Sequence, residues 1–330
     1  FKKLGQLDAA VKCYKEVLAI KPDFAEAHYN LGATLQGLDQ LDVAVKSFEK
    51  ALALKPDYTE AHNNLGIVLM ELGKHDAAVV HYEKALVIKP DYAEAHNNLG
   101  AAFHKLGQVD DALKCYKNAL AIKPDYADVY ANRGNVLKDL KRLDEALVSY
   151  ESAISLDPNL NFLLGDYIHT KMHLCLWDDL ENRLNELTEK INNSEKVIGP
   201  FHLLALIDVP EIQKKNSEIY AKERYPKSHV LPKIESYPKH KKIRIGYFST
   251  DFRDHPVSYL TAELYEIHDR ERFEIYAFSF GPDTKDEMNL RIKAGVDHFH
   301  DVRSMSLKDT AMLARSVELD IAVDFGGYTG

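Results

Sequence analysis

One polar segment of this chain carries residues that could perform acid–base chemistry. Asp251, Asp254 and His255 follow a nearly continuous apolar run, residues 243–248, which has the length of a buried strand. In open α/β sheets, ligands bind just beyond the carboxyl ends of the strands. The pattern therefore places a carboxylate and an imidazole where the chemistry of such folds is usually done.

A simpler interpretation of the two aspartates is also open. Asp251 and Asp254 could serve only as caps for a helix that starts after them, since Asp is among the preferred N-cap residues. His255 precedes Pro256, and a residue before proline favours an extended backbone. We therefore do not expect Asp251 and His255 to share one helical face.

Strand-like and helix-like segments alternate from residue 242 to the end of the sequence. Such alternation predicts a parallel sheet with right-handed crossovers. The predicted helices cover residues 257–268, 284–294 and 306–317, and the predicted strands cover residues 243–248, 273–280, 298–302 and 319–325. This part of the chain contains neither a Gly-x-Gly-x-x-Gly nor a P-loop motif, so no motif of its own predicts binding of a nucleotide phosphate.

The first half of the chain repeats with a period of 34 residues. Apolar residues recur every three or four positions within each period, and Gly or Asp interrupts them near the middle, which predicts two helices joined by a tight turn. A proline closes each period: Pro22, Pro56, Pro90, Pro124 and Pro158. The pattern resembles the tetratricopeptide repeat, whose stacked helix pairs form a superhelix with a long concave binding surface.

One amide side chain recurs in the first helix of each repeat, at Asn30, Asn64, Asn98 and Asn132. Asn is a mediocre helix former and has no capping role in the middle of a helix. Because an amide both donates and accepts hydrogen bonds, this asparagine row could hold the backbone of an extended polypeptide of any sequence. The alternative is that each Asn only packs between helices.

A row of histidines occupies the same helices, at His28, His62 and His96. A whole repeat separates one from the next, and no second ligand recurs beside them. We interpret them as packing residues and not as metal ligands.

The composition indicates a protein of about two domains in a reducing compartment. The net charge of −9 and the pI near 5.9 argue against a nucleic-acid partner. No apolar run approaches the roughly 18 residues of a membrane span. The three cysteines, Cys13, Cys115 and Cys175, have neither metal-ligand spacing nor an even number for a disulfide framework. Reduced thiols in the cytoplasm are the simplest interpretation.

We predict three regions along the chain. Residues 1–160 form the repeats, residues 161–241 form a helical cap and a linker, and residues 242–330 form the first part of an α/β region. The linker is rich in lysine, and it contains three prolines that should break any long helix: Pro226, Pro232 and Pro238. The sequence starts with Phe1 and stops just after a predicted strand, so we expect the natural protein to extend beyond it.

Several short phrases of the sequence resemble the protein O-linked N-acetylglucosamine transferases. They are Cys175-Leu-Trp-Asp, Ile243-Arg-Ile-Gly-Tyr, Ser249-Thr-Asp-Phe-Arg-Asp-His-Pro256 and Phe325-Gly-Gly-Tyr-Thr. With the repeats and the asparagine row, the resemblance covers essentially the whole chain. It implies a GT-B fold with two Rossmann-like lobes, and transfer of a sugar from a nucleotide diphosphate to Ser or Thr hydroxyls of proteins. It also implies that this sequence holds part of the acceptor-side lobe and lacks the lobe that binds most of the donor.

The family's motifs suggest the site residues. The motif Asp-Phe-x-x-His-Pro falls on Asp251, Phe252, His255 and Pro256. The resemblance implies that Asp251 and His255 handle the proton of the acceptor hydroxyl and that Pro256 contacts the acceptor. A second family motif, Pro-His-His, appears as Pro200-Phe201-His202, so Phe201 replaces its first histidine and His202 is the candidate catalytic residue.

The sequence therefore predicts a glycosyltransferase with an α-solenoid of tetratricopeptide repeats and an incomplete Rossmann-like lobe. We expect inverting transfer from UDP-N-acetylglucosamine to polypeptides that the repeats guide. We expect no metal or other cofactor, because no cluster of metal-ligand residues appears. GDP-fucose and UDP-glucose are alternative donors, and a non-catalytic scaffold that binds partner proteins is the rival function. Residues 1–330 alone should be inactive, because they lack the donor lobe.

Overall fold

The computed structural model describes residues 6–224, 231, 234, 237 and 239–326. The chain divides into two compact units, Phe1–Ile219 and Tyr220–Gly330. The described residues of the first unit form helices, and those of the second unit include a parallel sheet. The predicted fold class, a helical solenoid followed by part of an α/β lobe, is confirmed. The prolines of the predicted linker, Pro226, Pro232 and Pro238, lie outside the described residues.

The repeat region consists of antiparallel helix pairs. Its described helices are α1 (Leu7–Ile20), α2 (Ala25–Gln36), α3 (Leu41–Leu54), α4 (Thr59–Glu71), α5 (His75–Ile88), α6 (Ala93–Lys105), α7 (Val109–Ile122), α8 (Ala127–Asp139) and α9 (Leu143–Leu156). Within each repeat the chain turns back at a residue with positive φ, at Asp39, Gly73, Gly107 and Lys141. This left-handed conformation is a common way to end a helix.

Close contact between the two helices of a repeat depends on a glycine that faces an aromatic ring. A Cβ atom added to Gly66 would lie 2.5 Å from the ring of Tyr82, and one added to Gly134 would lie 2.4 Å from the ring of Tyr150. Both tyrosines are almost fully buried. Gly66 and Gly134 share one position of the 34-residue period and Tyr82 and Tyr150 share another, so these two positions are the two sides of one contact.

The histidine row bonds locally to the end of the preceding repeat. Nε2 of His28, His62 and His96 lies 2.9, 3.1 and 3.0 Å from the carbonyl oxygen of the proline six residues earlier. In one repeat a second imidazole contacts the row: Nδ1 of His81 lies 3.0 Å from Nδ1 of His62. With the His62 Nε2–H donated to the Pro56 carbonyl, the His81 Nδ1–H is donated to His62.

This histidine pair predicts a loss of stability at acidic pH. Burial, with smaller effects from His62 and Lys84, lowers the pKa of His81 from 6.5 to about 4. Between pH 6.5 and pH 4 the unfolded chain binds a proton that the folded chain does not, so stability falls as the pH falls through this window. We expect a larger drop in melting temperature between pH 7.5 and pH 4.5 for the wild type than for His81→Ser.

Serine is the natural residue at this position in two other repeats, at Ser47 and Ser149. The variant should therefore fold normally. An equal pH dependence of the two melting temperatures would contradict the prediction.

Four described helices follow the repeats. They are α10 (Leu163–His173), α11 (Leu180–Asn192), α12 (Pro200–Leu204) and α13 (Pro210–Arg224). Their buried residues, such as Ile168, Leu187 and Leu203, share one hydrophobic cluster with Tyr150 of α9. The repeat core therefore continues into these helices. Among the described helices, none combines the length and the apolar character that crossing a lipid bilayer requires.

The second unit alternates strands and helices as the sequence predicts. Its elements are β1 (Ile243–Ser249), α14 (Pro256–Ile267), β2 (Phe273–Ser279), α15 (Glu287–Gly295), β3 (His298–Asp301), α16 (Leu307–Ser316) and β4 (Ile321–Asp324). The strands pair in parallel in the order β3-β2-β1-β4. Apolar residues pack on both faces of the sheet, for example Tyr247 and Ile275 in one cluster and Phe278 in another.

The strand order creates a switch point beside β1. From β1 the chain adds β2 and β3 on one side, and β4 then pairs with the other side of β1. In doubly wound sheets, ligands bind at the carboxyl ends of the strands where the order reverses. The loop of residues 250–255 leaves β1 at this end of the sheet.

Candidate active site

The loop after β1 turns back immediately onto the helix that follows it. The backbone N–H of Asp251 donates to Oγ of Ser249 at 3.0 Å, and the hydroxyl of Ser258 in α14 donates to the Asp251 carbonyl oxygen. These bonds hold the loop at the end of the strand. The Asp251 side chain is about a quarter exposed (23%), so its carboxylate is accessible to a ligand.

His255 is the N-cap of α14. Its backbone is extended, with φ −156° and ψ 145°, as expected for a residue before proline. Nδ1 accepts a hydrogen bond from the Val257 N–H at 3.3 Å. His255, and not Asp251 or Asp254, therefore caps α14. The interpretation that the two aspartates serve only as caps of this helix is wrong.

The cap determines which nitrogen of the His255 ring carries the proton. Because Nδ1 accepts from Val257, the neutral imidazole is protonated on Nε2 and acts there as a donor. Nδ1 also lies 3.7 Å from Oδ2 of Asp251, and an Arg253 nitrogen lies 3.5 Å from Oδ1. The carboxylate of Asp251, which also accepts a hydrogen bond from Arg253, leaves oxygen atoms that can accept from a ligand, and the Nε2–H of His255 can donate to one.

His202 lies in the other unit, in α12, among imidazoles that the sequence did not connect with it. Its ring stacks on His169 with centroids 4.3 Å apart, and His169 contacts His173 edge-on at 4.5 Å. Burial lowers the pKa of His202, and burial together with the neighbouring histidines lowers the pKa of His169 to about 4. All three residues are far apart in sequence from the loop of residues 250–255, and no sequence motif paired His169 with His202.

The asparagine row forms hydrogen bonds from one repeat to the next. Nδ2 of Asn98 donates to Oδ1 of Asn63, and Nδ2 of Asn132 donates to Oδ1 of Asn97, each at 3.0 Å. Nδ2 of Asn64 donates to the Tyr29 hydroxyl at 3.0 Å.

Asn30, in the first described repeat, accepts a hydrogen bond from Thr34 through its backbone carbonyl. All four asparagines of the row are half-buried. In Asn64, Asn98 and Asn132 the bond to the preceding repeat uses one of the two amide N–H groups, so donor capacity remains for a ligand. The partners Asn63 and Asn97 precede members of the row directly, yet the period alone did not identify their role.

The predicted site residues thus fall into three places. Asp251, His255 and Pro256 lie together at the start of α14, His202 lies in α12 and the asparagine row follows the repeats. Within the part of the chain that the structure describes, no three His, Cys, Asp or Glu side chains converge as metal ligands would.

Comparison with known families matches both halves of the chain. The family described as "Glycosyl transferase family 41" matches residues 174–330. The family described as "TPR repeat" matches residues 1–39, 37–73, 68–107 and 102–141, and "Tetratricopeptide repeat" matches residues 127–160.

Two curated relatives share part of the sequence. A probable UDP-N-acetylglucosamine–peptide N-acetylglucosaminyltransferase of Arabidopsis thaliana is 29% identical over 178 residues, which are 49% of this chain and 18% of the relative. A Caenorhabditis elegans protein described by the same activity is 27% identical over 173 residues, 47% of this chain and 15% of the relative. The matches therefore span less than a fifth of either relative's length.

Among solved structures, a mutant of Thermobaculum terrenum O-GlcNAc transferase is similar at 24% sequence identity with a TM-score of 0.47. The similarity covers 82% of this chain and 46% of that chain.

Proposed function

We propose that this chain, which joins tetratricopeptide repeats to a glycosyltransferase family 41 region, belongs to an enzyme that glycosylates proteins. The donor in this proposal is UDP-N-acetylglucosamine, and the acceptors are Ser and Thr hydroxyls of polypeptides. One observation carries it: the family match over residues 174–330 includes the Asp251–His255 pair at the switch point of a parallel sheet. The names of the two curated relatives support the choice of donor.

The proposed chemistry follows from the geometry of this pair. The acceptor hydroxyl oxygen forms a bond to the anomeric carbon of the sugar, and the bond from that carbon to the nucleotide diphosphate breaks. The hydroxyl proton passes to the carboxylate of Asp251, while the Nε2–H of His255 holds the acceptor oxygen in place. A base so placed contributes typically about 10² to 10⁴ in rate. His202, neutral at pH 7 because burial lowers its pKa, is a second candidate for proton transfer.

We assign acceptor binding to the asparagine row and to Pro256. Several amide contacts at about 1 kcal/mol each would hold a polypeptide backbone weakly and with little regard to its sequence. Pro256 is the first residue of α14, directly after His255, so it borders the place where the hydroxyl would bind. The proposed compartment is the cytoplasm, since all three cysteines are free thiols.

Removing amides from the row should weaken acceptor binding without slowing chemistry. We expect Asn98→Ala with Asn132→Ala to raise KM for a long polypeptide acceptor about tenfold, from about two lost hydrogen bonds, with kcat nearly unchanged. A short acceptor peptide that cannot reach the repeats is the matched control, and its KM should not change. An equal effect on both acceptors would favour the packing interpretation of the row. A modest drop in melting temperature is expected under either interpretation, because the variant loses the bonds to Asn63 and Asn97.

The full-length product of the gene tests the proposed function. It is incubated with UDP-N-acetylglucosamine and a Ser/Thr-containing polypeptide, and mass spectrometry detects an added hexosamine. Transfer from GDP-fucose or UDP-glucose instead would correct the donor. Failure with all three donors would favour the rival function, a scaffold that binds proteins through its repeats.

A further inference from the structure

The start of α15 holds the middle of the loop after β1. Asn289, in the first turn of α15, donates from Nδ2 to the carbonyl oxygen of Phe252 at 2.6 Å. Asp286, the N-cap of α15, accepts at Oδ2 from the backbone N–H of Asp254 at 3.0 Å. Two side chains more than 30 residues further along the chain therefore bind the loop on both sides of Arg253.

The carboxylate of Asp286 is shared between its own helix and the loop. Oδ1 accepts from the Asn289 N–H at 2.8 Å, which caps α15, and Oδ2 accepts from the Thr284 hydroxyl as well as from Asp254. The hydrogen bond from Thr284 and those from the backbone N–H groups of Asn289 and Asp254 lower the pKa of Asp286. The group is therefore an ionised acceptor at neutral pH, and hydrogen bonds to a charged acceptor are the stronger kind.

The hydrogen bond from Asn289 to the Phe252 carbonyl is buried inside the protein. Asn289 is 1% exposed and Phe252 is 2% exposed, and the Phe252 ring packs against Tyr265 and Phe299. Without Asn289 the buried Phe252 carbonyl would lose its hydrogen-bond donor, and an unpaired buried carbonyl lowers the stability of the fold. The middle of the loop is thus tied to α15 by one charged and one buried hydrogen bond.

We infer that Asp286 and Asn289 are positioning residues for the Asp251–His255 pair, an inference that rests on the proposed function. The pair brackets the held segment, because Asp251 directly precedes Phe252 and His255 directly follows Asp254. A shift of the loop would move the carboxylate of Asp251 away from the acceptor hydroxyl and change its distance to the His255 ring. Misplacement of a reacting group by about 1 Å can cost about 10²-fold in rate.

The variant Asp286→Ser in the full-length protein tests this inference. Serine can still cap α15 through its single oxygen, but it is too short and has too few acceptors to hold Asp254 as well. Glu287→Ser is the matched control, since it removes the next carboxylate of the same helix, and Glu287 is exposed.

We expect Asp286→Ser to lower kcat about tenfold while KM for the donor stays within about twofold, as misplacement of the base predicts. Hydrogen exchange of the Asp254 amide should be at least about tenfold faster, because its acceptor is gone. The control should match the wild type in both measurements. Asn289→Ala is a second variant, and it should also lower kcat with little change in KM.

Each result decides a separate question. Faster exchange with a wild-type kcat would overturn the positioning role, and unchanged exchange would overturn the bond from Asp254 to Asp286. If the wild-type protein transfers no sugar, the proposed function fails and the catalytic part of this inference fails with it. The exchange of Asp254 then still decides whether Asp286 holds the loop.

Discussion

Asp251→Asn in the full-length protein is expected to lower kcat for sugar transfer by about 10² to 10⁴, the usual contribution of a positioned base. The amide retains the size of the carboxylate and cannot accept a proton at neutral pH. KM for the donor should change little, because the substitution of Asp251 affects proton transfer and not donor binding. Single-turnover measurement with a Ser-containing peptide gives the rate of the chemical step directly.

His255 requires two variants, because the residue both caps α14 and faces Asp251. His255→Ala removes the cap as well as the imidazole, and loss of a cap costs about 1 kcal/mol of stability. His255→Asn retains a good N-cap side chain and removes only the imidazole. We expect both variants to lose activity but only His255→Ala to melt at a lower temperature.

Either of two results would contradict this assignment. A kcat of Asp251→Asn within a few-fold of the wild type would exclude the carboxylate as the base, and His202 would become the first candidate. Full activity in His255→Asn would show that His255 contributes only its cap.

Gly281→Ala is expected to have the largest effect on the stability of the second unit. A Cβ atom added to Gly281 would lie 1.7 Å from the carbonyl oxygen of Thr250, a backbone atom that no side-chain rotation can move away. The chain after β2 and the loop after β1 would have to separate. We expect a loss of about 3 kcal/mol, at the upper end for overpacking.

Gly295→Ala is the matched control in the same unit. Its added Cβ would have its nearest contact at 3.4 Å, with the flexible Glu266 side chain, and Gly295 is the last residue of α15, so we expect little change in stability. Hydrogen exchange of the amides of β2 measures the free energy of opening in both variants. Equal protection in the two variants would contradict the close contact between Gly281 and Thr250.

The sequence predicted the elements of this protein well, because each depends on a local pattern. The 34-residue period indicated the helix pairs, because the same contact recurs in the repeats. In it a glycine packs against an aromatic ring, as at Gly66 and Tyr82. The apolar runs of the second half marked the strands and placed Asp251 and His255 just beyond β1. Proline after His255 was enough to predict its extended backbone.

The sequence could not determine which polar atoms form hydrogen bonds, nor which residues meet across long separations. The contact of Nδ1 of His255 with the Val257 N–H, and hence the proton on Nε2, depends on one side-chain rotation. Other contacts join residues that share no sequence pattern. They are the pairing of β4 with β1, the stacking of His169 on His202 and the hydrogen bond from Asp254 to Asp286. Local periodicity determines where a helix or strand forms, but only the packing of these elements against each other decides which polar side chains find partners.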